Sequence, residues 1–452
     1  MASDREVRGS DPRDRLRREL TLLDTTFLVV ACVIGAGIFF TPGRVAELLP
    51  HPHWILAAWI FGALLSLAGA LANAELGAMF PHAGGDYVYL REGVHPVAGF
   101  LVGWLTFFAI QAGTIAALSA AAGEMIAGGL GLDPSTSLPI AVALTLMVSG
   151  INMLGVRWAA LANNLTTAFK ILALLAFIVF GPLSGNGDVS RLGSVAAGVG
   201  SFSWMAFGVA MSPVLFSYLG WNSSIYVASE IRNPGRTLPL SLFAGLGICA
   251  GIYLLVNAVY LYALPMESLM GVVDAGRSSA VALFGTQGGR LVGAFVLVSV
   301  LGTLNATALL GPRIAYAMAL DGLFFGPTQQ VSSGSAAPNV AIAAQAVVTV
   351  GLLLVLRSFP NALDFTTFAI LLATMADVIA LFRLRRLQPD RERPYRAWGY
   401  PVIPGIYLVV CAAITLSLVW GRPRECAISF AMLLAGLPFY WAFARDAGTR
   451  AD

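Results

Sequence analysis

Twelve stretches of about twenty mostly apolar residues recur along the chain, at roughly 22–48, 54–79, 97–127, 138–157, 158–182, 203–230, 238–263, 290–319, 339–357, 362–384, 400–420 and 426–444. A helical run of that length crosses the ~30 Å hydrocarbon core of a bilayer. In lipid every main-chain N–H and C=O must be satisfied within the protein, so spans of this kind are helices. The expected fold class is an all-α polytopic membrane protein with twelve transmembrane helices. Charged residues make up only 11% of the 452 positions, against about 25% in soluble proteins. With so many spans, the first reads as a retained helix and not as a cleaved signal sequence.

Alternating the spans puts both termini on one side. Nineteen arginines then lie on that side and seven on the other, which makes both termini cytoplasmic by the positive-inside rule and predicts a multi-pass protein of the inner (plasma) membrane. The net charge of +3 reflects this asymmetry and gives no reason to invoke nucleic acid. Cys32, Cys249, Cys411 and Cys426 are scattered without a C-x-x-C pair. His51 and His53 fall outside, His82 and His95 inside, so they cannot form one metal site. No phosphate loop, G-x-S-x-G or H-E-x-x-H occurs. Nothing in the chain therefore points to an enzyme, a cofactor, a metal or ATP-driven pumping, and nothing names a partner subunit.

Two spans carry breaks near their centres. In the first, Gly35 and Gly37 flank Ala36 within Ile34-Gly35-Ala36-Gly37-Ile38. Glycine loosens a helix, and each unpaired backbone group in hydrocarbon costs several kcal/mol. A mid-membrane break is tolerated where protein, water or a polar ligand satisfies the freed groups. The half-helix that restarts aims its N–H groups and positive dipole end into the gap, a geometry suited to a carboxylate. The same glycines also suit close helix packing. The sixth span repeats the theme with Pro213, then Phe216-Ser217-Tyr218-Leu219-Gly220-Trp221. It enters from the opposite side, and each broken span opens a unit of five. That is the pattern of inverted repeats around a midplane site. The expected layout is a cytoplasmic tail over 1–20, a first repeat over 21–185, a second over 186–390, and two further helices with a tail over 391–452.

Lys170 is the sole lysine among 27 basic residues and lies mid-span. Asn163, Thr166, Thr167 and Lys170 share one helical face, so Lys170 looks into protein or water. It reads as a fixed cation standing where a sodium ion would otherwise sit, a titrating proton carrier, or a structural amine on backbone carbonyls. Thr303, one turn before Thr307, either adds an oxygen to an interior site or bonds its own helix. Glu75 is expected at the cytoplasmic end, reaching water or Arg91. Glu124 is expected at the outer end, solvated or gating, and Asp377 near the inner interface, paired with Arg383.

The chain resembles the amino acid–polyamine–organocation superfamily of permeases. The resemblance rests on Gly35-Ala36-Gly37-Ile38-Phe39, Gly84-Gly85-Asp86-Tyr87-Val88-Tyr89-Leu90, Lys170, Tyr218-Leu219-Gly220-Trp221, Glu230-Ile231-Arg232-Asn233-Pro234, Gly302-Thr303-Leu304-Asn305-Ala306 and Arg393-Pro394-Tyr395-Arg396. It implies a LeuT-type five-plus-five inverted repeat with two extra helices. It also implies an α-amino acid held between spans one and six. The carboxylate would meet N–H groups of Ala36, Gly37 and Ile38. The ammonium would meet carbonyls near Ile34 and around Phe216, Ser217 and Leu219. Tyr218 and Trp221 are candidates for pocket walls or gates, or for ordinary packing. A lysine in span five is similar to sodium-independent members. The implied activity is secondary transport of neutral L-amino acids by exchange or proton coupling, with the amino acid, protons and the bilayer as partners. A sodium-coupled symporter and a non-transporting sensor are the alternatives.

Overall fold

The computed structural model describes residues 18, 20–81, 84–153, 156–193, 202–332 and 337–448, without the side chains of 156–163 and 446–448. Most of the tail expected over 1–20, the side chain of Asn163 and the last four residues lie outside the described residues.

The chain opens with α1 (Leu22–Val33), whose start is set by a reciprocal cap between Thr21 and Asp24. It restarts as α2 (Gly37–Phe40) and continues as α3 (Pro42–Leu48). The long α4 (Pro52–Met79) follows, then the short α5 (Asp86–Gly93). The third span is α6 (Pro96–Leu105), a π turn at Thr106–Gln111, and α7 (Ala112–Gly129). Then come α8 (Ser137–Met153) and α9 (Val156–Leu183).

The second half repeats the opening. A helix of 15 residues, α10 (Trp204–Tyr218), breaks at Leu219, and α11 (Ser223–Tyr226) carries on. The rest is α12 (Pro234–Ala263), α13 (Met266–Leu269), α14 (Ala275–Leu320, kinked at Gly285), α15 (Asn339–Leu356), α16 (Phe359–Leu387), α17 (Val402–Gly421) and α18 (Pro423–Gly448).

Among the described residues, eleven helices are long and apolar enough to cross a membrane. The span expected over 203–230 is absent from that set because its break leaves α10 short. In the third span 89% of the most apolar window is buried, against 28% in α17 and 17% in α18. The third span is thus the axis of the bundle, and the last two helices turn Val409, Leu416, Trp420 and Trp441 outward, as lipid-facing helices do.

Candidate functional site

The two interruptions lie against each other. α1 ends at Val33, and Ile34 leaves the helical region (ψ 86°). α2 makes its first main-chain bonds from Phe39 and Phe40 to the Ala36 carbonyl (3.1 and 3.0 Å). The N–H groups of Ala36, Gly37 and Ile38 therefore stand as first-turn donors with no helical acceptor. On the partner, α10 ends at Tyr218, Leu219 is extended (ψ 145°), and Gly220 has φ +99°, a region costly for any residue with a Cβ.

Close approach fixes the rest. A Cβ on Gly37 would lie 2.6 Å from Ser217 Cα, and one on Gly220 would lie 2.7 Å from Cys32 Cβ. Each break thus seats its glycine on the other helix. The Thr41 and Ser217 hydroxyls meet at 2.9 Å.

The freed carbonyls find side-chain donors. The Tyr253 hydroxyl on α12 reaches Val33 O at 2.7 Å and Ser217 O at 2.9 Å, so one group spans both breaks. The Thr303 hydroxyl contacts Ala31 O (3.0 Å) and Ile34 O (2.9 Å). Lys170 Nζ donates to Thr303 Oγ1 at 2.6 Å and to Ile34 O at 3.1 Å, with Ala31 O at 3.5 Å. Lys170 is 1% exposed, and among the described residues no carboxylate pairs with it. Its amine sits at the C-terminal end of α1, where the helix dipole and the carbonyls freed by the break favour a cation.

Of the other residues singled out from sequence, Ile34, Gly35, Ala36 and Ile38 are buried at the first break. Phe216 packs edge-on against Phe359. Leu219 and Gly220 line a cavity of about 30 Å³ with Cys32, Asp86, Gln111, Tyr226 and Thr307. That volume suits a water or two and is far below that of an amino acid. Tyr218 packs on Trp59 and Tyr253 and donates to Trp59 O at 3.1 Å. Trp221 lines a separate small cavity with Ser66, Thr367 and Tyr407.

Ion pairs close both ends. At the end assigned to the outside, Arg44 Nη2 lies 2.6 Å from Asp364 Oδ2, the Ser212 hydroxyl donates to Asp364 Oδ1 at 2.6 Å, and Arg422 lies at 3.3 Å. At the other end, Glu75 is fully buried between Arg385 (2.6 Å) and Arg393 (3.2 Å) and accepts the Ala397 N–H at 2.7 Å. There Leu20 also pairs with the segment after α11, through Leu20 N to Glu230 O and Arg232 N to Leu20 O (both 2.9 Å).

Two sequence expectations change. Glu75 meets Arg385 and Arg393 instead of water or Arg91, because Arg91 is taken by Asp321. Arg383 donates to Gly93 O and leaves Asp377 to other neighbours. Glu124 is half-buried and lines an outer vestibule of about 700 Å³ with Asp274, Arg277 and Arg290. Sequence reasoning missed Tyr253, Arg44 and Asp364 as site residues. For Tyr253 the available signal was a phenol at mid-span, where a hydroxyl needs a partner.

An amino acid permease family profile matches residues 20–443. The chain is 31% identical over 430 residues to the serine/threonine exchanger SteT of Bacillus subtilis, covering 94% of this chain and 97% of that protein. It is 26% identical to the human b(0,+)-type amino acid transporter 1 (97% and 91% covered). It is 27% identical to the mouse large neutral amino acids transporter small subunit 2 (94% and 81% covered).

Proposed function

Given that the chain belongs to the amino acid permease family, we propose that it carries neutral L-amino acids across the inner membrane without sodium, by exchange or proton coupling. The substrate lies between the α1–α2 and α10–α11 breaks. Its carboxylate takes the N–H groups of Ala36, Gly37 and Ile38, and its ammonium takes carbonyls around Ile34 and Ser217. The frame is a LeuT-type one, with twelve spanning helices when α10–α11 is counted, two five-helix repeats over 21–185 and 186–390, and both termini cytoplasmic.

One observation carries the sodium-independent part. Lys170 Nζ sits among Ala31 O, Ile34 O and Thr303 Oγ1, an all-oxygen set of the kind a small cation would take. A tethered ammonium holds the end of α1 there. Exchange is favoured by the likeness to SteT, whose name describes a serine/threonine exchanger. Alternating access follows from rocking of one helix group against the other, with Arg44–Asp364 and Glu75–Arg385 as the contacts that part in turn.

The test is counterflow of a panel of radiolabelled amino acids into proteoliposomes, with and without sodium. Accumulation of small neutral amino acids that is equal in both buffers is expected. A strict sodium requirement selects a sodium-coupled symporter, and saturable binding with no flux selects a sensor.

A further inference from the structure

Two acidic side chains lie together beside the breaks, one of them on the wall of the small cavity described above. Asp86 opens α5 and Asp377 lies on α16; they are 1% and 0% exposed. Their carboxyl groups meet. The Tyr226 hydroxyl donates to Asp86 Oδ2 at 2.8 Å, and Asn222 Nδ2 reaches that hydroxyl at 3.3 Å. Asp86 Oδ1 and both Asp377 oxygens are buried without a hydrogen-bond donor, and Tyr89 Oη and Asn73 Nδ2 are buried without a hydrogen-bond partner. Asn73 is near Asp377 yet outside hydrogen-bond geometry.

No arginine or lysine among the described residues forms an ion pair with either carboxyl, and the cations nearby are spent elsewhere. From α4 comes Glu75, held by Arg385 of α16 and by Arg393. From α5 come Tyr89 and Arg91, the latter on Asp321 at the end of α14. From α11 comes Tyr226, and from α17 Tyr407, whose hydroxyl donates to Thr374.

Two carboxylates in contact, buried and without a counter-ion, cannot both stay ionised. A single proton resolves this. It turns one carboxyl into a donor for the other and halves the buried charge. We propose that Asp86 and Asp377 share one proton and form the proton-coupling site of the transporter. Asp86 and Tyr226 line the same cavity as Leu219 and Gly220, so movement at the α10–α11 break reaches the pair through the Tyr226 hydroxyl. When the inner end opens and α5 parts from α16, water reaches both groups, each is stable as a carboxylate, and the proton leaves to the cytoplasm. No covalent step is involved. Burial pushes the Asp86 carboxyl above the ordinary carboxylate range, which favours holding the shared proton while the pair is closed off.

This inference rests on the permease reading and selects proton coupling within it. The test uses full-length protein in liposomes loaded with a pH-sensitive dye, and the amino acid that gives most counterflow. Wild type is expected to show proton entry with substrate and uptake stimulated several-fold by an inward proton gradient. Asp377→Asn keeps the shape but cannot share a proton, and should lose both the stimulation and the pH dependence of flux between ~pH 5 and ~pH 8. Where that variant fails to insert, infrared spectroscopy of wild type reads the pair directly. A protonated-carboxyl band persisting near neutral pH supports the proposal, and its absence overturns it. Wild-type counterflow with no proton movement, an unchanged pH response in Asp377→Asn, or stimulation by sodium in place of protons also overturns it. Absence of wild-type counterflow would instead count against the permease reading itself.

Discussion

Lys170 joins more of the structure than its single charge suggests. Its amine ties α9 to the last carbonyls of α1 and to Thr303 on α14, so three helices meet on one atom. Hydrogen bonds to a charged group contribute about 1.5–3 kcal/mol each. Lys170→Ala should therefore lower flux at least about tenfold while membrane insertion is unchanged, as read by counterflow per unit of inserted protein. Unchanged flux and pH response would remove Lys170 from the mechanism. Gly37 is equally exacting. Its absent Cβ would strike the Ser217 backbone at 2.6 Å, and a backbone atom cannot swing aside. Overpacking of this kind costs about 1–3 kcal/mol, and Gly37→Leu would also fill the approach to the N–H groups. Substrate binding should be lost in that variant, and normal affinity by scintillation proximity would be hard to reconcile with the site. Lys170 was conspicuous in the sequence as a lone mid-span amine. Tyr253 was not, because the partners that give its hydroxyl meaning lie 220 and 36 residues away.

At the level of elements, both breaks were legible from glycine placement, whereas Pro213 stays inside α10 and does not interrupt it. Their mutual seating was not, since periodicity within one helix does not say which residue of another it touches. The same holds for the end contacts. Glu75 was expected to reach water or Arg91, but its partners Arg385 and Arg393 come from a segment more than 300 residues on. Asp377 was expected to follow its sequence neighbour Arg383, but the helix turns them to different neighbours. The Arg44–Asp364 contact ties α3 to α16 at the end assigned to the outside. Asp364→Asn should weaken this closure and favour the outward-open arrangement. A thiol placed at Phe216→Cys, on the outer side of the break, should then react several-fold faster with a membrane-impermeant reagent than in the parent. An equal or slower rate would show that the contact does not hold the outer end shut.

For the molecule as a whole, the sequence carried the membrane class through the length and number of apolar runs, and helix ends matched within a few residues over most of the chain. What it could not convey was closure. The cavity between the breaks is about 30 Å³, so the proposed substrate site requires relative motion of helix groups to open. A density map of the protein with a bound neutral amino acid tests this most directly. The expected result is an enlarged cavity, with the substrate carboxylate on the N–H groups of Ala36, Gly37 and Ile38 and Lys170 still at the end of α1. An amino acid bound elsewhere, or first and sixth spans running unbroken past residues 34–38 and 219–222, would contradict it.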